Sequence, residues 1–557
     1  MKDNNSTPQT SINNDRGRTA LRIVAALFSG AILTLVSAPL NLHWLHWVSF
    51  VPLFWALEPG KRNARIGYAS GWIAVFMLFF WLIETVIRFS NLPWIAAFFV
   101  HVIFATAFAI PYALVFGPVH WFRERIGMAW VAVIPAIQVT VEALSPALFP
   151  YYHGVSQYRT EWMWQLASVT GISGLSYLVF LSNAGLAEGI YRKREGRTQP
   201  WKLYALIATL LIGNLGFGMW RHQNVEAKLS EAPTLRAAIL QQSITMEQRL
   251  DQSAVKALAS WVTLTDQITD EDPDLVVWPE GSVSIPEPAD NERSYQVLGN
   301  QTSRQYFSRL ANTGDYDLLI GGGTIEFHTD TPDMENQKSA GGMRNSRRYT
   351  AYNSSYVFDR SGNLGGRYDK MIPLPFGEYI PFSDVFPFLR DLIEGPGNFR
   401  AGTVPVFFQG TTHEGKSYTF SSPICYEAIL EEQVQVLSAA DLMVNITNDA
   451  WFGDTASTHQ HAMLAAGQAM QVGVPLLRIG YTGVSFVVEP HGAIRFETKA
   501  FEESAKVEEV RLASVQTMYQ RGGWLFSWLC VAGVIGATWY TRKLEPPATD
   551  ESDDGSS

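Results

Sequence analysis

From Ile23 to Leu57 the chain contains no Asp, Glu, Lys or Arg, and about 20 apolar residues suffice to cross a bilayer as a helix. A run of that length does not belong on a soluble surface, so part of this protein is expected to fold in lipid. The turn signal Ser37-Ala38-Pro39-Leu40-Asn41 splits the run, predicting a helical hairpin over residues 20–38 and 42–58. Further candidate spans are 66–87 with only Glu84 charged, uncharged 89–121, 126–149 with only Glu142, uncharged 162–187, 203–220, and an isolated 522–541. The expected total is about eight.

Loop charge tests that count, because short loops should alternate between rich and poor in Lys and Arg. Lys2, Arg16, Arg18 and Arg22, then Lys61, Arg62 and Arg65, then Arg123 and Arg125, then Arg192, Lys193, Arg194, Arg197 and Lys202 fall on one side, joined by Arg542 and Lys543. The opposite loops carry only Arg88 and Arg159. Seven spans starting inside place residues 221–521 outside the cytoplasm, and the eighth returns the tail. The expected division is a cytoplasmic tail (1–19), a seven-span domain (20–220), a folded domain (221–515), a last span (516–543) and a disordered tail (544–557). A cleavable signal peptide is the alternative for the first span, but six further spans before the folded domain make it redundant.

Composition removes other classes. Charged residues are 17% of the chain and the net charge is −10, so no broad basic surface for nucleic acid is expected. Two cysteines, Cys425 and Cys530, lie in regions of opposite character and exclude a disulfide framework.

Residues 221–520 alternate β-rich runs with helical patterns. Strands are predicted at 235–241, 274–278, 317–320, 350–358, 404–408, 417–424, 442–446 and 483–489, and helices at 246–265, 303–313 and 459–472. Runs such as Asp274-Leu-Val-Val-Trp278 suit strands buried on both faces of an α/β layered domain. Two motifs mislead. The stretch Gly410-Thr-Thr-His-Glu-Gly-Lys-Ser417 matches the P-loop pattern, but the next residues are extended and broken by Pro423, with no helix to face a phosphate. A hairpin turn is expected there. His459 and His461 lack a third ligand pattern and read as network or surface residues.

Three segments each place a reactive side chain at or just past a predicted strand end: Trp278-Pro-Glu280, Arg367-Tyr-Asp-Lys370 and Ile424-Cys425-Tyr426-Glu427. An acid, an amine and a thiol form a nucleophilic set, in which Glu280 takes the thiol proton, Lys370 stabilises charge and Cys425 attacks a carbonyl. Taken singly, each has a structural reading as a helix cap, a surface amine or a small buried hydrophobe.

With their flanks, these segments resemble the nitrilase (carbon–nitrogen hydrolase) superfamily. The supporting stretches are Tyr368-Asp-Lys370-Met-Ile-Pro-Leu-Pro-Phe376-Gly-Glu378-Tyr-Ile-Pro381 and Asn445-Ile-Thr-Asn448-Asp449-Ala-Trp451-Phe-Gly453. Framed by apolar spans, the whole chain is similar to the bacterial apolipoprotein N-acyltransferases. That resemblance implies a multi-pass α-helical membrane protein carrying an inserted extracytoplasmic nitrilase-like αββα sandwich. It implies Glu280 as general base, Lys370 as transition-state stabiliser and Cys425 as nucleophile, with the backbone N–H after Cys425 as a second oxyanion donor. Glu378, Tyr426 and Glu427 match positions in or beside the family's active site. The implied partners are a phospholipid acyl donor, with phosphatidylethanolamine expected, and a diacylglyceryl-modified apolipoprotein acceptor. No cofactor or metal is implied, and the location is the bacterial inner membrane with the catalytic domain periplasmic. The chain departs from the family pattern at Gln242–Leu250, which lacks a Trp, and at Tyr481, where Asn is frequent before the Thr482-Gly483 pair. A membrane-tethered amidase and a catalytically inert scaffold are the rival readings.

Overall fold

The computed structural model describes residues 8–60, 63–90, 92–146, 148–245, 248, 253–283, 287–288, 296–298, 301–327, 349–383, 385–386 and 399–544. The expected disordered tail lies outside them apart from Leu544, as does most of Met246–Leu250.

The helices of the apolar half are α1 (Pro8–Val36), α2 (Val51–Ala56), α3 (Asn63–Leu78), α4 (Leu82–Ser90), α5 (Trp94–Phe108), α6 (Ile110–Phe116), α7 (Val119–Ile126), α8 (Trp130–Leu144), α9 (Ala167–Thr170), α10 (Ile172–Arg194) and α11 (Trp201–Leu229). Four described stretches are long and apolar enough to cross a membrane: Gly17–Val36, Trp94–Leu144, Trp201–Leu229 and Tyr519–Lys543. The pair α3 and α4, bent by 57°, makes a fifth if it counts as one span. Residues 42–58, expected as a full span, instead form a 3-10 turn at His43–Trp47 and the short α2. Asn183 on α10 explains how the broken helix persists. Its Oδ1 accepts from the Phe50 N–H at 2.9 Å, and its Nδ2 donates to the His46 carbonyl at 2.9 Å. Backbone groups freed by the break are thereby satisfied inside protein.

The second half carries β1 (Thr234–Gln241), α12 (Ala254–Asp266), β2 (Leu275–Trp278), β3 (Glu287–Pro288), β4 (Gln296–Leu298), β5 (Gln301–Thr302), α13 (Ser303–Gly314), β6 (Asp317–Phe327), β7 (Tyr349–Phe358), β8 (Leu364–Asp369), β9 (Phe408–Thr411), β10 (Ser417–Ser421), α14 (Glu431–Leu437), β11 (Leu442–Thr447), α15 (Ala456–Val472), β12 (Leu476–Gly480), β13 (Phe486–Val488), β14 (Ile494–Glu497) and β15 (Ser504–Arg511), followed by α16 (Leu525–Lys543). One sheet has the order β15-β1-β2-β6-β7-β8 with β3 beside β6, and the other is β14-β13-β12-β11-β10-β9. Along β1 the side chains alternate. Leu235, Ala237 and Ile239 face a core shared with Phe420, Val444 and Ile446 of the second sheet, while Ala238 and Leu240 pack on Trp261 of α12. The P-loop-like stretch is the hairpin between β9 and β10, with Tyr418 paired to Gly410.

The two halves share one core. Val155, Trp164, Ile172 and Leu175 from the apolar half join the core between the sheets, and so does Tyr519 ahead of α16. At about 1.5 Å per residue, the 29-residue α11 is longer than the roughly 30 Å hydrocarbon layer. Its last turns reach the sheet edge. There Glu226 accepts from Arg511 at 2.9 and 3.0 Å, from Arg495 at 2.9 Å and from His491 at 3.1 Å. Glu226, Glu489 and His491 are spaced as a metal site would be, but the two guanidinium groups already balance both carboxylates.

Candidate active site

Strand direction gathers the three predicted segments. β1, β2 and β6 run parallel, as do β10, β11 and β12, and β8 runs in the sense of β6 because both are antiparallel to β7. Glu280 follows β2, Lys370 follows β8, Cys425 follows β10 and Asn448 follows β11. All therefore emerge at the carboxyl end of the strands, the usual position for a ligand crevice in open α/β sheets. The approach is close because β6 carries Gly321-Gly322-Gly323. A Cβ at Gly321 would collide with the Pro279 carbonyl oxygen and lie 2.7 Å from the Glu280 Cα.

Lys370 Nζ lies 2.7 Å from Glu378 Oε2 and 3.6 Å from Glu280 Oε1. Asn353 on β7 bridges the two acids, its Nδ2 donating to Glu280 Oε1 at 2.7 Å and to Glu378 Oε1 at 2.6 Å. The backbone N–H of Asn448 donates to the other Glu280 oxygen at 2.7 Å, and Glu378 Oε2 accepts from the Leu374 N–H at 2.6 Å. Both oxygens of Glu280 are thus held in place. Cys425 occupies the left-handed region with φ +53, a conformation rare outside glycine, Asn and Asp. The bend sets its thiol into the same cavity as Glu280 and Lys370, a space of about 520 Å³. Its apolar wall includes Leu374, Trp451, Phe452 and Phe89, the last from α4 of the apolar half.

Burial governs the protonation states. It pushes the Glu280 carboxyl up, with the neighbouring Glu378 adding to the effect and Lys370 opposing it. Burial and the Glu280 carboxylate push the Cys425 thiol up, and the Lys370 ammonium pulls it back only in part. Burial works against charge on Lys370, but Glu378 and Glu280 together raise its pKa, so it stays protonated. Sequence reasoning assigned the thiol proton to Glu280 and charge stabilisation to Lys370. In the folded site burial favours the neutral thiol, a state from which attack would require a base to take the proton.

Tyr426 and Glu427 serve as supports. Glu427 is wholly buried and accepts from Tyr368 Oη at 2.8 Å, Met371 N at 2.7 Å, Ile372 N at 3.1 Å and Ile424 N at 2.8 Å. It ties the lysine loop to the cysteine turn, and burial pushes its pKa up to about 7. Tyr426 Oη donates to the Leu148 carbonyl at 2.6 Å, and its ring meets Phe149 edge-on, which fastens the cysteine turn to the apolar half. Tyr426→Phe should cost about 1 kcal/mol of stability, the worth of one hydrogen bond, read as a small drop in thermal midpoint of the detergent-solubilised chain. An unchanged midpoint would show that this contact carries no load.

Sequence reasoning missed Asn353 and the network beneath Cys425. Arg478 Nη2 donates to Asp449 Oδ2 at 2.8 Å and its Nη1 to Asn445 Oδ1 at 2.6 Å, while His461 Nδ1 lies 2.8 Å from Asp449 Oδ1. His461 is therefore a buried network residue, as its spacing suggested. The available signals were an Asn inside a β-rich run and an Arg inside an apolar one. The two departures from the family pattern touch each other: Tyr481 Oη donates to Gln242 Oε1 at 2.7 Å, and the Ser243 N–H donates to the Tyr481 carbonyl at 3.0 Å.

Residues 236–520 match the family described as carbon-nitrogen hydrolase, and residues 29–185 match the apolipoprotein N-acyltransferase N-terminal domain. The chain belongs to the carbon–nitrogen hydrolase family. Relatives along nearly its whole length are apolipoprotein N-acyltransferases. That of Geobacter metallireducens is 29% identical, with 93% of this chain and 95% of that protein covered. That of Bdellovibrio bacteriovorus is 26% identical, with 89% of each covered. Among solved structures, Nit3 of Saccharomyces cerevisiae, a member of branch 10 of the nitrilase superfamily, aligns with TM-score 0.34 and 18% identity over 50% of this chain and 90% of that one.

Proposed function

We infer that this enzyme is a membrane-embedded apolipoprotein N-acyltransferase working through Glu280, Lys370 and Cys425. The observation that carries the mechanism is the convergence of a buried acid, a protonated amine and a thiol on one cavity, one wall of which comes from α4. In the first half-reaction Glu280 takes the Cys425 proton as the sulfur attacks an ester carbonyl of a phospholipid. Lys370 and the backbone N–H after Cys425 stabilise the oxyanion. Collapse expels the lysophospholipid alkoxide, which takes the proton back from Glu280 and leaves a thioester. In the second, the α-amino group of a diacylglyceryl-cysteine attacks the thioester and gives up a proton through Glu280 to the departing Cys425 sulfur. The products are the N-acylated lipoprotein and the free thiol.

The proposed setting explains the fusion of two folds. Burying a methylene is worth about 0.8 kcal/mol, so drawing a chain of about 16 carbons into water would cost on the order of 12 kcal/mol. The cavity therefore has to open at lipid level. We propose about eight spans in the bacterial inner membrane, a periplasmic αββα catalytic domain and phosphatidylethanolamine as donor. The loop-charge alternation supports the orientation, and the alternating faces of β1, with α12 on one side and the second sheet on the other, support the layering.

Intact-mass spectrometry of the detergent-purified protein after incubation with phosphatidylethanolamine tests the reading. An acyl-sized adduct is expected, absent in Cys425→Ala and transferred to a diacylglyceryl-cysteine peptide. An adduct lost to water with the peptide unmodified would indicate a tethered amidase instead. Cys530→Ala should match the parent, since Cys530 sits in α16; a large loss would show that the site is misplaced.

A further inference from the structure

Arg478 stands inside the apolar strand Leu476–Gly480, is fully buried, and lies in parallel register with Asn445 of β11. A guanidinium is costly to bury unless its charge and its donors are met. Two branches meet them here: Nη1 donates to Asn445 Oδ1 at 2.6 Å, and Nη2 donates to Asp449 Oδ2 at 2.8 Å. The first branch reaches the nucleophile. A guanidinium can only donate, so Asn445 must turn its oxygen to Arg478 and its NH2 the other way. That NH2 donates to the Pro423 carbonyl at 2.9 Å and, at 3.5 Å, to the Cys425 carbonyl. In a trans peptide the N–H points opposite to the C=O, so a Cys425 carbonyl drawn toward Asn445 turns the Tyr426 N–H away from it. Cys425 opens the 3-10 turn Cys425–Ile429 with φ +53, a strained conformation that persists only where its surroundings fix it.

The second branch reaches the base. Asp449 follows Asn448, whose N–H donates to Glu280 Oε2 at 2.7 Å, and the packing around it is so close that a Cβ on Gly483 would collide with Asp449 Oδ2. Burial pushes the Asp449 carboxyl up, but Arg478 and His461 outweigh it and hold the pKa at about 2. The pair therefore stays ionised across the working range. We propose that Arg478 is a positioning residue of the reaction: through Asn445 it aims the N–H that follows Cys425 at the oxyanion, and through Asp449 it holds the loop that fixes Glu280; this rests on the acyltransferase reading above. Cys425 follows β10 and Glu280 follows β2, strands of different sheets, and the guanidinium fork links the supports of both.

Two reactions of Cys425 separate the branches. Both need the thiol proton removed, but acylation by an ester builds an oxyanion, whereas alkylation by iodoacetamide displaces iodide at a saturated carbon and builds none. Rates are read per folded molecule of the full chain in detergent, from the mass of the Cys425 peptide, with phosphatidylethanolamine or iodoacetamide as reagent. Asn445→Ala should lower acylation at least about tenfold, in kcat rather than KM, a part of the about 100- to 1,000-fold that complete loss of an oxyanion donor costs. Its alkylation should stay within about threefold of the parent. Asn445→Asp keeps an acceptor for Arg478 but loses the NH2, and should show the same split. Arg478→Lys, which replaces the planar fork by a single ammonium, should slow both reactions. Equal loss of both reactions in the Asn445 variants would make the network a general support of the fold and overturn the aiming, as would unchanged acylation. Parent-like alkylation in Arg478→Lys would remove the branch to Glu280. A parent protein that is alkylated but never acylated would overturn the acyltransferase reading itself.

Discussion

Glu280→Gln is expected to slow acylation of Cys425 by about 100- to 10,000-fold, the range over which positioned acid–base groups contribute. The size of the effect follows from the state of the thiol. Burial pushes the Cys425 thiol up, which favours coupling of sulfur attack to proton removal; of the two acids lining the cavity, Glu378 is paired with Lys370, and Glu280, held by Asn353 and Asn448, is the proposed base. Glutamine preserves size and an acceptor oxygen but cannot take the proton. The pH dependence has a definite sign. Only ionised Glu280 accepts a proton, and burial raises its pKa, so the rate should fall as pH drops through a value above the ordinary 4.5. Lys370 keeps its proton because its pKa is raised, so it adds no alkaline limb near neutrality. Single-turnover mass spectrometry across pH measures both. A variant within threefold of the parent, or one retaining the acid limb, would remove Glu280 as the base.

Glu427→Gln should cost stability and activity together. Its two oxygens accept four hydrogen bonds, three of them from backbone N–H groups. An amide can keep one oxygen in place but must then point its NH2 at another donor. A buried donor left without an acceptor costs roughly 1–3 kcal/mol, and the added donor–donor contact brings the expected loss to about 3 kcal/mol. The lysine loop and the cysteine turn would then separate, so adduct formation should fall even in the molecules that stay folded. Chemical denaturation of the full chain in detergent gives the first quantity and adduct yield per folded molecule the second. Full stability with full yield would show that the tie is dispensable.

Glu280, Lys370 and Cys425 were legible as a candidate set because each sits in a short segment with distinctive flanks next to a strand, and strand direction then brings the three to one cavity. β1, β2 and β7 were legible as alternating or continuous apolar runs. β8, β12, β14 and β15 were not. Leu364–Asp369 contains two glycines and Ser504–Arg511 alternates charges, so pairing with a neighbour defines these strands more than their composition does. The strand expected at 404–408 begins only at Phe408, where β10 supplies a partner. In the apolar half, hydropathy located apolar stretches, and one of them, residues 42–58, is broken into a 3-10 turn and the short α2 where a continuous helix was expected. Hydropathy could not register Asn183 holding the unwound segment at His46–Phe50, because that bond joins residues far apart in sequence. Asn353 offered only the weak signal of an Asn inside a β-rich run, since its value lies in touching two acids from different loops.

The shared core also has a bearing on the order of synthesis. Tyr519 accepts a hydrogen bond from Gln435 of α14 at 3.0 Å, and its ring covers Gly171 ahead of α10. It is among the last core residues to leave the ribosome, and it completes a cluster begun by Val155 and Trp164. A chain that ends short of Tyr519 therefore leaves that seam open, although Glu280, Lys370 and Cys425 are already present in it. The folded core thus closes only with the segment that leads into α16, and a chain truncated before Tyr519 should be cleared by proteases instead of accumulating.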